Sequence, residues 1–104
     1  MARILIIEDN PDQAFVASRF LERAGFAVAH QSTAAAGLES ARAGGFDLIL
    51  LDFGLPDSQG LQTLEQLTPL GIPVVLVTGR SEAQLVVQAL RAGAANYLLK
   101  DSHY

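Results

Sequence analysis

The sequence predicts an α/β protein, a doubly wound five-stranded parallel sheet with helices on both faces. Three observations predict it. Five short apolar runs alternate with segments of helical periodicity. Those runs are apolar throughout, as strands covered on both sides by helices are, and do not alternate polar with apolar. No linker, repeat or low-complexity tract breaks a chain of 104 residues, a length that suits one small domain.

The first strand is Ile4 to Ile7, and the helix after it starts at Asn10-Pro11, a cap followed by proline at the first helical position. Ala14, Ala17, Leu21 and Ala24 step by three and four along its buried side, and Gly25 stops it. The second strand is Phe26 to Ala29, and an alanine-rich helix follows over Thr33 to Ala43, with Ala34, Leu38 and Ala41 on one stripe and Gly44-Gly45 as its stop. Leu48 to Leu51 is the third strand. Leu61, Leu64 and Leu67 mark a short third helix closed by Pro69 and Gly71. After the fourth strand, Val74 to Val77, Ser81-Glu82-Ala83-Gln84 resembles a capping box, with Leu85, Val86, Ala89 and Leu90 as the buried side behind it. Gly93 closes that helix, and Tyr97 to Leu99 is the fifth strand. Four β-α units and a final strand, joined by right-handed crossovers, leave the doubly wound sheet as the natural architecture.

Composition removes several classes of function. Half of the residues are hydrophobic and 17% are charged, which argues against a disordered segment. No apolar run approaches the ~18 residues of a membrane span. The run after Met1-Ala2-Arg3 is cut short by Glu8-Asp9, too early for a secretory signal, so a cytoplasmic domain is expected. There is no cysteine, hence no disulfide, thiolate chemistry or cysteine-based metal site. A net charge of −4, with one lysine and six scattered arginines, disfavours direct binding of nucleic acid.

The chemistry sits where the strands end. In open parallel sheets, sites form outside the carboxyl ends of the strands. Here those ends are Glu8-Asp9, His30-Gln31, Asp52, Thr78-Gly79 and Lys100-Asp101. Three carboxylates, a hydroxyl and the one lysine would share an edge. Three clustered carboxylates repel one another unless a cation intervenes, and an oxygen-only donor set suits a hard ion such as Mg²⁺. That set suits phosphoryl transfer, with Asp52 as nucleophile and Lys100 and the ion offsetting charge on the phosphoryl oxygens. Taken singly, each acidic residue reads better as a helix cap or a solvated loop residue; the agreement among the strand ends gives the functional reading its weight. His30 and His103 read as ordinary surface residues.

From Arg3 to Lys100, the chain resembles the receiver domain of two-component response regulators. Glu8-Asp9 is similar to the family's acidic pair, and Asp52-Phe53-Gly54-Leu55-Pro56-Asp57-Ser58-Gln59-Gly60 to its phosphoacceptor loop. Thr78-Gly79 resembles its hydroxyl position, and Gly93-Ala94-Ala95-Asn96-Tyr97-Leu98-Leu99-Lys100 its last motif. The resemblance implies a flavodoxin-like sheet of order 2-1-3-4-5. It implies that Asp52 accepts a phosphoryl group from a histidine kinase or phosphotransfer protein in a Mg²⁺-dependent step of a bacterial phosphorelay. It implies that Asp9 binds the Mg²⁺ directly, Glu8 mostly through water, and Asp52 and the backbone carbonyl of Gly54 complete the protein ligands. Thr78 would hydrogen-bond the phosphoryl oxygen and Lys100 would ion-pair with it, while Tyr97 occupies the position of the family's switch aromatic. Such a domain is a phosphoacceptor rather than a dedicated enzyme.

The chain departs from the family pattern after Lys100, where Asp101 stands in place of the usual proline, often joined by a cis bond. Arg80 stands near the mouth of the site, and a surface pairing with Glu82 is its plainer role. The alternative reading is a pseudo-receiver that keeps the fold as a constitutive protein-binding module. Asp52-Phe53-Gly54 also spells a kinase metal motif, but no glycine-rich loop or catalytic-loop pair accompanies it. Gly54 stands where a dehalogenase-type phosphatase needs a second Asp, and no dinucleotide or phosphate-binding glycine loop is present. The resemblance implies a fifth helix after the last strand, of which Asp101-Ser102 reads as the start; with Tyr104 only four residues past Lys100, this chain is expected to lack the rest. A sheet face near Leu5, Ile7 and Leu99 is therefore expected to lack cover, so that the chain self-associates or belongs to a longer protein with an output domain.

Overall fold

A computed structural model of the chain describes residues 1–57, 61–79 and 83–99. Five strands, β1 (Arg3–Ile7), β2 (Ala27–Gln31), β3 (Leu48–Asp52), β4 (Val74–Thr78) and β5 (Asn96–Leu99), alternate with α1 (Pro11–Arg23), α2 (Ala34–Ala43), α3 (Leu61–Leu67) and α4 (Ala83–Arg91). All pairings are parallel and the order is β2-β1-β3-β4-β5, as the resemblance implies. Parallel strands leave every carboxyl end on one edge. That edge carries Glu8, Asp52 and Thr78 at or just past the ends of β1, β3 and β4.

The central strands β1, β3 and β4 are buried on both faces, which is why they read as unbroken apolar runs, whereas the edge strands β2 and β5 are only partly covered. On one face Leu5, Ile7, Ile49, Leu51, Val74 and Leu76 join Leu38, Leu64, Leu67 and Ala89 of α2, α3 and α4 in one core. On the other, Ile4 and Ile6 are covered and Ala14 is the buried residue of α1. Asn10 caps α1 with its Oδ1, accepting from the amides of Asp12 and Gln13 at 3.0 and 3.1 Å. The helix ends in a Schellman closure: Phe26 donates to the carbonyl of Leu21 and Gly25 to that of Glu22, with Gly25 at φ 98°. Below α3 a 3-10 turn (Thr68–Leu70) completes the passage to β4, where the sequence places Pro69 and Gly71 as stops.

Four expectations need correction. Phe26 is not the start of β2, because its amide belongs to the end of α1; the strand instead runs on to Gln31, paired with Ile7. Ala24 is the exposed cap of α1, one residue past its stripe. Leu90 is half exposed, since α4 meets the core through Leu85 and Ala89. Leu5 and Ile7 are wholly covered by the α2–α3 side, whereas Leu99 is 48% exposed at the edge strand. The expectations that fall on Ser58 to Gly60, on Arg80, on the Ser81-Glu82 half of the capping box, on Lys100 and the Lys100–Asp101 bond, on Asp101-Ser102 and on His103 lie outside the described residues.

Candidate functional site

The carboxyl edge is built by three strand ends. β1 delivers Glu8, which is buried, and Asp9, which is exposed. Glu8 extends the β1–β2 ladder by one bond, its amide donating to the carbonyl of Gln31 at 3.0 Å, and its Oε2 accepts from the amide of Asn10 at 3.4 Å. Asn10 then caps α1, so the acidic pair is held between a strand end and a helix start. Asp52 closes β3 and is 8% exposed, and the next amide, Phe53, donates to the carbonyl of Val77 at 2.9 Å. Thr78 closes β4, the strand beside Asp52, and is buried.

This arrangement brings one carboxylate oxygen each from Glu8, Asp9 and Asp52 within 4.8 Å of one another. Three like charges at that spacing favour a cation, and an all-oxygen donor set free of histidine and cysteine fits a hard divalent ion. The three carboxylates that the sequence singled out therefore meet. Gly54 lies in the same loop, where a methyl built on it would sit 3.9 Å from Asp52 Oδ2. A small pocket beneath, lined by Glu8, Gln13, Ala17, Leu50, Asp52 and Val77, joins the acidic edge to the α1 face. Tyr97 is half-buried on β5 opposite Leu76, against the core that runs under the site. Lys100 lies outside the described residues.

Two contacts were not foreseen from the sequence. His30, expected to be an ordinary surface residue, is exposed, yet its Nε2 meets the carbonyl of Glu8 at 2.7 Å, and since that carbonyl can only accept, Nε2 donates. The parallel register pairs Ile6 with His30, and register is what a linear reading lacks. Asp57 is the second: its carboxylate accepts from the amides of Ala34 at 2.9 Å and Ala35 at 3.2 Å, at the start of α2. An acidic residue in a loop carries no sequence signal for a helix 23 residues away.

A five-stranded parallel sheet of this order, with an acidic cluster and a threonine at its carboxyl edge, is the architecture of the receiver modules of two-component systems. The family model described as "Response regulator receiver domain" matches residues 4–104, and the chain belongs to that family. Among its relatives, the swarming motility regulation protein RssB of Serratia marcescens is 37% identical over 99 residues, covering 93% of this chain and 45% of RssB. Protein PilH of Pseudomonas aeruginosa is 35% identical over 104 residues, covering 96% of this chain and 86% of PilH. The chain thus spans less than half the length of RssB. A response regulator from Burkholderia pseudomallei, solved with a phosphorylated aspartic acid, a calcium ion and citrate, superposes with a TM-score of 0.91 at 33% identity, covering 98% of this chain and 61% of that one. No helix among the described residues is long and apolar enough to cross a membrane.

Proposed function

We propose that this receiver domain is a phosphorylation switch in which Asp52 accepts a phosphoryl group from the phosphohistidine of a histidine kinase or phosphotransfer protein. The observation that carries the reading is the meeting of Glu8, Asp9 and Asp52 at one strand edge. An Asp52 oxygen forms the new P–O bond as the donor's N–P bond breaks, and the imidazole nitrogen leaves with the bonding pair. Asp9, Asp52 and the Gly54 carbonyl, supported by Glu8, would hold Mg²⁺, which would supply the positive charge that lets an anionic phosphoryl group approach carboxylates. Thr78 donates its hydroxyl to a phosphoryl oxygen, Lys100 pairs with another, and Tyr97 follows the threonine inward. The phosphorylated Burkholderia pseudomallei relative, which holds a calcium ion, supports the pairing of an acyl phosphate with a divalent cation. The acceptor is used once per event and reset by slow hydrolysis, so the domain works as a switch and not as a dedicated enzyme. Its state would be read by an output domain of the same protein or by a separate partner.

The test is incubation with a small phosphodonor and Mg²⁺, read by intact-protein mass. The wild type gains one phosphoryl group; Asp52→Asn keeps the fold and gains none, and chelating the metal abolishes the gain. A phosphoryl group on Asp52→Asn under the same conditions would overturn the assignment.

A further inference from the structure

The loop that follows Asp52 is fixed at every second residue. Phe53 donates its amide to the carbonyl of Val77, Leu55 is 3% exposed within the core, and Asp57 grips the first turn of α2. Gly54, exposed, lies between the first two of these points, with Asp52 Oδ2 beside it. The grip is more than an ordinary cap, since α2 already has one: Thr33 Oγ1 accepts from the amide of Ala36 at 3.1 Å. Asp57 takes the two amides before that one, one carboxylate oxygen on each, and so joins a loop to a helix distant in sequence. The same two bonds, that of Ala34 above all, hold its carboxyl below the ordinary value, so the clamp is a charged one near neutral pH.

We propose that Asp57 is a positioning residue, whose two-pronged hold on α2 fixes the loop carrying Gly54 against Asp52 and so sets cation affinity and phosphoryl uptake at that site. It acts through the backbone and touches no phosphoryl group itself. The role of Gly54 rests on the phosphoacceptor reading above. By linkage the hold works in both directions: a cation settling at Gly54 and Asp52 is felt at the Ala34 and Ala35 amides.

The experiment compares the full chain with Asp57→Ala, Asp57→Asn and Thr33→Ala. Mg²⁺ is titrated against amide resonances, and uptake from a small phosphodonor is timed by mass. Asp57→Ala should lose about tenfold in Mg²⁺ affinity, the scale of losing a partner that orients a ligand, and a similar factor in uptake rate. Asp57→Asn keeps one accepting oxygen and should fall between it and the wild type. Thr33→Ala removes a cap from the same helix without loosening the loop, and should match the wild type in both. In the wild type, Mg²⁺ should shift the Ala34 and Ala35 amides, a response absent from Asp57→Ala. The proposal is overturned if Asp57→Ala, or Asp57→Asn should the alanine variant not fold, stays within about twofold of the wild type in Mg²⁺ affinity. It is equally overturned if Thr33→Ala does the same damage, for the clamp would then act only through helix stability. A wild type that binds Mg²⁺ but takes up no phosphoryl group would sink the phosphoacceptor reading alone, and the Mg²⁺ titration would still decide the role of Asp57.

Discussion

Glu8 and Asp9 are neighbours in sequence and differ sharply in setting. Glu8 is 4% exposed and engaged through its amide, carbonyl and carboxylate, whereas Asp9 stands open at the rim. Asp9→Ala is therefore expected to weaken Mg²⁺ binding more than Glu8→Ala, whose main cost falls on the β1–α1 junction. Calorimetric titration of both variants checks the ranking, and equal or reversed losses count against it. Asp57 makes a prediction in pH. Its folded carboxyl titrates below the ordinary 3.8, chiefly through the Ala34 amide and then that of Ala35. A depressed folded value contributes stability that is complete above the unfolded value and disappears as pH falls through the folded one. The gap in melting temperature between wild type and Asp57→Asn should thus stay level from neutral pH down to mildly acidic pH and close only below about 3.8. A gap that narrows near neutrality would point to another group. At this scale the sequence announced the acids and the threonine by their places after apolar runs, but it was silent on His30 and Asp57, whose partners are set by register and by a long-range loop contact.

Among the elements, α2 shows how packing overrides propensity. Gly37 stands mid-helix, where alanine would ordinarily gain about 1 kcal/mol. Yet a methyl there would come within 3.0 Å of three carbons of Ile7, itself wholly buried in the core. Overpacking costs roughly 1–3 kcal/mol, so the clash outweighs the gain. Gly37→Ala should lower stability by about 1 kcal/mol in urea unfolding, against the helix scale, and an increase would show that Ile7 gives way freely. The stripe of Ala34, Leu38 and Ala41 was legible because spacing alone defines a helix face, and the structure buries all three. The start of β2 was not, because a Schellman closure spends Phe26 on the preceding helix. Nor was the exposure of Leu90, since periodicity shows which side of α4 is apolar but not how wide its contact is.

Across the whole molecule the apolar residues are unevenly covered. Leu64, on the α2–α4 side, is wholly buried, while Phe20 on α1 is 73% exposed. Leu64→Ala should cost about 2–5 kcal/mol and Phe20→Ser no more than about 0.5 kcal/mol, as urea unfolding of the two variants would show. The doubly wound sheet was legible because apolar runs and right-handed crossovers leave few architectures, and its strand order came with the family resemblance; which sheet face stays covered was not legible, as the places of Leu5 and Ile7 in the core show. The shared edge has one more consequence, and it concerns the melting curve. Folding brings Asp52 to Glu8 and Asp9, which the unfolded chain keeps far from it, so the full repulsion of the cluster and its full hold on an ion belong to the native state. Heat resistance then becomes a gauge of site occupancy. At a hundred times its Kd, Mg²⁺ would add about 2.7 kcal/mol, on the order of 10 °C for a domain of this size. Asp52→Asn should melt above the wild type in chelator and respond less to Mg²⁺, so that the residue giving the domain its chemistry is one that its bare fold would be sturdier without.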